Sequence, residues 1–239
     1  MSKVVLLDPG HGGYDPGAVA NGLKEKDLNL QLALKVAEKL SCMKVLLTRE
    51  RDSFVSLAER VNISRRSGAD LFLSLHANAG GGQGFESFIY SGLGNMDPVV
   101  KMQKALHGQI MEALRGWNIV DRGMKRAVFY VLKHNPRPAV LIESLFLDNE
   151  AEANLWREPF FIEALAEGVA GGVRKALGLS GGDSDDEQPA LRPPVGLKPE
   201  RSLYTVQVGA FAYIENARQR LSEAQEAGFK DAFIYQKRL

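Results

Sequence analysis

Residues 4–13, VVLLDPGHGG, and residues 71–80, LFLSLHANAG, follow one plan: an apolar run that stops in a glycine-containing loop, with His11 or His76 where the run ends. Short apolar runs bounded by turn residues read as strands buried on both faces, the habit of parallel sheets. In an open parallel sheet the carboxyl ends of the strands border the crevice where ligands bind. Two histidines far apart in sequence can therefore face one site.

The same alternation continues outward. Strand-like runs at 4–7, 44–47, 71–75, 85–90, 128–132 and 140–144 are interleaved with helical patterns near 27–40, 56–67, 98–117 and 160–177. This order predicts an α/β domain over residues 1–179, a mostly parallel twisted sheet flanked by helices. The third helix has a clear start, because Asp97 can cap it and Pro98 suits the first helical position, where a missing N–H costs nothing. Residues 180–202 are rich in Gly, Pro and acidic side chains and lack apolar periodicity, which predicts a flexible linker. Residues 203–239 show a strand, a helix and a strand, a small βαβ unit.

Composition excludes more than it identifies. The 239 residues are 45% hydrophobic and 25% charged, with a net charge of +1, so no overall attraction to nucleic acid or acidic membranes is expected. One cysteine, Cys42, rules out an intrachain disulfide and any multi-cysteine zinc cage. It is expected to be a small buried hydrophobe. The amino terminus has an apolar run of only four residues, short for a secretory signal, and no stretch has the length of a membrane span. A chain made in the cytoplasm is the expectation.

The chemistry-bearing residues stand at the strand ends. Glu25, in GLKEKDLNL, joins His11 and His76 as a third candidate ligand. Two His and one carboxylate leave a fourth zinc position open, as catalytic sites do. Glu143 lies inside the apolar run AVLIESLFL, where an unpaired charge is costly, and a buried carboxylate beside such a site suits a general base. Taken singly, each has a plainer reading: a loop histidine, a solvated Glu25, or a salt bridge from Glu143 to Arg49 or Arg126. Among further polar residues, Asn78 could orient a ligand, Glu86 could support the site through a hydrogen bond, and His134 could face substrate. His107, within a helical pattern, reads as a surface residue.

The ordered set DPGHGG, GLKEKDLNLQLA, LLTRERD with SLAERVNISR, ADLFLSLHANA, GFESFIY and FYVLKHNPRPAVLIESLFLDN resembles the zinc-dependent N-acetylmuramoyl-L-alanine amidase family. The resemblance spans nearly the whole first domain. It implies Zn2+ held by His11, Glu25 and His76, with Glu143 as the acid/base that takes a proton from the attacking water and returns it to the departing alanine nitrogen. The implied substrate is bacterial peptidoglycan, cut between the muramic acid lactyl group and L-alanine.

Residues 204–234 resemble the start of the sporulation-related repeat (SPOR) domain, a module that binds glycan strands. Only one half of the usual pattern is present, so the tail reads as a partial peptidoglycan-binding segment, with Tyr204, Phe211 and Phe233 packing its helix onto its strands. Both resemblances imply an autolysin or a phage-type endolysin, reaching the wall after mother-cell or phage lysis. Two rivals are a zinc peptidase acting within the stem peptide and a non-catalytic wall-binding or activator protein.

Overall fold

The computed structural model describes residues 3–179 and 221–222. The chain divides into two units, Met1–Val195 and Gly196–Leu239. The expected linker lies outside the described residues, as does the expected βαβ unit, apart from Leu221 and Ser222.

Chain order is β1 (Val4–Pro9), β2 (Val19–Ala20), β3 (Leu23–Lys24), α1 (Glu25–Lys39), β4 (Lys44–Leu47), α2 (Leu57–Ser67), β5 (Leu71–Asn78), β6 (Phe85–Tyr90), α3 (Pro98–Ala113), β7 (Asp121–Ala127), α4 (Tyr130–Lys133), β8 (Ala139–Phe146), α5 (Glu150–Leu155) and α6 (Pro159–Ala176). Six strands form one sheet in the order β4-β1-β5-β8-β6-β7. All neighbours run parallel except β6 and β8. The mostly parallel sheet flanked by helices is therefore as expected. No described helix is long and apolar enough to cross a membrane.

Alternation along each strand separates two faces. Val5, Leu7, Leu71, Leu73, Leu75, Val140, Ile142, Phe85 and Ile89 belong to the larger core, with residues of α1, α3 and α6. Helices α3 and α6 approach closely because Gly168 and Gly172 face them: a Cβ on Gly172 would stand 2.8 Å from the Leu106 Cα. Leu6, Phe72 and Leu141 form a smaller core on the other face with Val131 and Leu132 of α4. Continuing that second alternation toward the strand ends brings up Asp8, Ser74, His76, Glu143 and Glu86, so one face changes from apolar core to polar site along its own strands.

Helix ends follow local rules. Asp97 accepts a hydrogen bond from the Val99 amide at 2.9 Å with Pro98 at the first helical position, and Ser56 caps α2 through the Glu59 amide. Helix α3 stops at Ala113, and a separate 3-10 turn, Arg115–Trp117, carries the rest of the expected helix.

Three expectations are corrected. Residues 128–132 form no strand: the strand in this part of the chain is the charged DRGMKRA, Asp121–Ala127, and the apolar run VFYVL leads into α4, with Val128 exposed. An edge strand pairs on one side only and is protected by charge, so apolar periodicity conceals it. Cys42 is exposed, in the turn after α1, instead of buried. His107 is buried on α3, between the Ser87 hydroxyl and the Asp121 carboxylate, each 2.9 Å away; two polar partners let an imidazole sit where the helical pattern suggested solvent.

The end of β1 is fastened by a buried ion pair. Asp8 accepts from Arg60 at 2.6 Å, Thr48 at 2.6 Å and Ser74 at 2.8 Å. Arg60 also donates to the carbonyls of Pro9 and His11, both at 2.7 Å, and of Val55 at 3.0 Å. Removing one partner from such a pair leaves an uncompensated charge, so Arg60→Met is expected to lower unfolding free energy in urea by about 3–5 kcal/mol. Arg66→Met, which breaks an exposed pair with Glu59 on the same helix, is expected to leave the urea midpoint nearly unchanged. Equal losses would show that Arg60 carries no special weight.

Candidate metal centre

His11, Glu25 and His76 converge, although 14 and 51 residues separate them in turn. One ligand atom from each can be chosen so that all lie within 4.8 Å of one another. A tetrahedral zinc with bonds of about 2.0–2.2 Å needs its ligands ~3.4 Å apart, so small side-chain movements close the set.

Each ligand is placed by a local feature. His11 adopts φ 59°, a left-handed conformation uncommon for a residue with a side chain. The loop holds it there: Arg60 takes its carbonyl, while Arg49 donates to the carbonyls of Pro9 at 3.1 Å and Gly10 at 2.8 Å. Glu25 is the first residue of α1, where the helix dipole favours a carboxylate. Its side chain accepts from the Ala18 amide at 2.9 Å and the Asn29 amide group at 3.2 Å. His76 comes from β5. Gly10 and Gly17 leave the room the ligands occupy: a Cβ on Gly10 would collide with the His76 ring, and one on Gly17, at φ +63°, would stand 2.7 Å from the His11 ring.

The two rings meet edge to face, 5.1 Å apart. Asp15 takes Nδ1 of His11 at 2.9 Å, which leaves Nε2 toward Glu25 at 3.2 Å, and His76 turns Nδ1 to Glu25 at 2.8 Å. A carboxylate on the second nitrogen of a ligand histidine fixes its orientation and raises its basicity. Burial opposes charge on all three residues, but their mutual attraction is stronger. It pushes His11 up to about 9, raises His76, and holds Glu25 far below the usual carboxylate range. The cluster thus favours positive charge on its two histidines and negative charge on Glu25.

Glu143 lies beside this cluster, in register with His76 on one side and Glu86 on the other. The strand is irregular just past it: pairing with β5 shifts, and Leu145 adopts φ 65°, a bulge of the kind that re-aims side chains at sites. Its Oε2 is buried with no hydrogen-bond partner in the protein. Burial, reinforced by the negative charges of Glu25 and Glu86 against the opposing His76, pushes its carboxyl up to about 7. Neither considered salt bridge forms: Arg49 is spent on carbonyls, and Arg126 binds the Leu93 carbonyl and Asn95. A cavity of about 480 Å³ opens here, and His11, His76, Glu143, Phe54, Phe129 and Tyr130 are among the residues that line it.

Other polar residues sort themselves by contact. Glu86 is buried, accepting from Asn78 at 2.8 Å, Arg122 at 2.9 Å and Lys125. Burial alone would raise its carboxyl, and the two cations hold it low. His134 packs on Tyr130 at the end of α4. Asp8, Arg60 and Asp15 escaped the sequence reading. For Asp8 a signal existed, an acid inside an apolar run, the same one that singled out Glu143.

Comparison with known proteins places this geometry. Residues 5–175 match the family model described as N-acetylmuramoyl-L-alanine amidase, and residues 196–238 match the SPOR domain, beginning within the stretch expected to be linker. The chain is 40% identical to the sporulation-specific N-acetylmuramoyl-L-alanine amidase of Bacillus subtilis (strain 168), over 94% of this chain and 82% of that one. It is 42% identical to the endolysin of Bacillus phage SPP1, over 79% and 72% of the two chains. The crystal structure of N-acetylmuramoyl-L-alanine amidase from Clostridium difficile 630 superposes with a TM-score of 0.70 at 32% identity, covering 75% of this chain and 99% of that one. The chain belongs to the N-acetylmuramoyl-L-alanine amidase family.

Proposed function

We propose that this chain hydrolyses the amide between the lactyl carbonyl of N-acetylmuramic acid and L-alanine in peptidoglycan, with zinc held by His11, Glu25 and His76 and with Glu143 as acid/base. Family membership supports the bond, and the donor set of two nitrogens and one carboxylate supports zinc over harder, oxygen-loving cations. The observation that carries the catalytic role is the buried, unpartnered Oε2 of Glu143, on a residue that lines the cavity beside the ligand cluster.

Bound there, zinc would supply Lewis acidity at the amide carbonyl and lower the pKa of water to about 7. Glu143 takes the proton of the attacking water and then delivers it to the alanine nitrogen, which cannot leave as an anion. A carboxyl poised near neutrality serves both transfers. Asp15 fixes the His11 ring, and the low carboxyl of Glu25 keeps a ligand charge available. A non-catalytic wall protein has no need of this costly buried acid. A peptidase reading shares the chemistry and differs only in the bond cut. We further propose that residues 1–179 are the catalytic domain, tethered through 180–202 to a wall-binding tail that matches the SPOR domain, and that the setting is wall lysis of the kind named in the relatives, sporulation or phage release.

The zinc-loaded chain is expected to release new amino-terminal alanine from purified peptidoglycan and to lose this on chelation. Glu143→Gln should retain one zinc and reduce kcat by about 10²–10⁴-fold. New termini within the stem peptide would instead establish the peptidase, and full activity of Glu143→Gln would remove Glu143 from the mechanism.

A second expectation concerns the chelated protein. Glu143 in the folded chain, at about 7, stands above its ordinary value, so folding takes up a proton between roughly pH 4.5 and 7. The stability that protonated Glu143 gives is complete at the acid end and lost as pH rises through about 7. Urea midpoints of Glu143→Gln should therefore gain on the wild type from pH 5 to pH 8. A constant difference across that range would refute the burial argument.

A further inference from the structure

Beside Glu143, outside the residues that line the cavity, stands a charged group that metal binding and proton transfer do not use. Glu86, one strand over, is buried and gathers two cations of the edge strand: Arg122 through Nε at 2.9 Å, and Lys125. Both remain open to solvent, with side chains 32% and 38% exposed. Both are also pinned. The Arg122 guanidinium lies 4.8 Å from the centre of the Phe146 ring and donates to the Gln83 carbonyl at 3.3 Å, while the Lys125 ammonium stands 5.9 Å from the Phe88 ring. Two positive charges on one carboxylate leave a net positive charge at the end of a row otherwise made of Glu25, Glu143 and Glu86. If neutralising Glu86 were the whole purpose, one cation would suffice.

We infer that Arg122 and Lys125 form a carboxylate-binding subsite that receives the peptide side of the substrate. The inference rests on the amidase reading. In the uncut substrate the lactyl carboxyl is consumed in the scissile amide, so free carboxylates belong to the stem peptide and not to the glycan at that position. A cationic end therefore orients the chain with peptide toward β7 and glycan toward β1. Reach agrees: adjacent strands lie ~4.8 Å apart, and both cations extend to Glu86, one strand from Glu143. An extended peptide advances ~3.3–3.6 Å per residue, which puts a carboxylate on the second residue at the same distance from the scissile nitrogen. The cations are positioned in advance by Glu86, Phe146 and Phe88, so little side-chain entropy is lost on binding.

The test uses zinc-loaded full chain and two muramoyl tripeptides, identical except that the side carboxylate of the second residue is free in one and a carboxamide in the other. Wild type is expected to favour the carboxylate by about 10-fold to 100-fold in kcat/KM, the range of a charge-assisted hydrogen bond. Lys125→Met and Arg122→Met should each shrink that ratio, losing more kcat/KM on the carboxylate than on the carboxamide. No preference in wild type, or equal losses on both substrates, overturns the subsite and leaves the cations as partners of Glu86 alone. Calorimetric Kd values for the same pair on Glu143→Gln keep the two readings separate. If wild type cuts neither tripeptide, the amidase reading fails, and a carboxylate preference in Kd still supports the subsite while its absence still overturns it.

Discussion

Asp8 and Arg60 form the contact on which the rest of the site depends. The pair is almost wholly buried, and its cost in lost hydration is offset only because every remaining donor and acceptor finds a partner. Asp8 ties β1 to β4 through Thr48 and to β5 through Ser74. Arg60 brings α2 to the same point and spends its other hydrogens on the carbonyls of Pro9 and His11. Arg49 completes the saturation from β4, reaching Pro9, Gly10 and Lys26. Two guanidiniums thus satisfy a loop that makes few ladder bonds of its own, and a left-handed histidine can persist there because its surroundings leave no alternative.

From that anchor, register does the remaining placement. His76 pairs with Glu143 and Glu143 with Glu86 across three adjacent strands, so side chains from distant parts of the sequence become neighbours at one strand spacing. The antiparallel pairing of β6 with β8 matters here, because it brings the start of β6, and not its end, to the edge where β1, β5 and β8 finish. The outcome is a row of charge: two histidines around Glu25, then Glu143, then Glu86, then two cations. Glu143 holds its Oε2 buried without a hydrogen bond between two other carboxylates, Glu25 and Glu86, and for that reason its carboxyl rises toward neutrality.

Much of this was legible in the sequence, for a definable reason. His11, Glu25, His76 and Glu143 each break a local pattern, a polar group at the end of an apolar strand, at a helix start or within a buried run, and such breaks mark sites. The strands carrying them are buried on both faces, so their apolar runs are unambiguous. What escaped were residues defined only by partners in space. Arg60 reads as an ordinary charge on an amphipathic helix until the sheet is folded against it. His107 reads as surface because a helical period says nothing of Ser87 and Asp121 waiting across the interface. Cys42 goes the other way, an apolar type left exposed in a turn between the buried Leu40 and Met43.

The misplaced strand makes the deeper point. DRGMKRA contains too much charge to resemble a strand, while VFYVL, which follows it, has the β-branched and aromatic content of one. Charge on β7 is physically required: its outer side has no neighbour, and a flat apolar edge would recruit other chains. Yet two of those charges, Arg122 and Lys125, reach across to Glu86 while staying partly open to solvent. A single feature thus hides the strand from apolar periodicity, guards the sheet edge and gives the row of carboxylates its positive end. Edge strands beside active sites are for this reason where pattern reading and function part company, since the residues that violate the strand pattern are the ones the site has recruited.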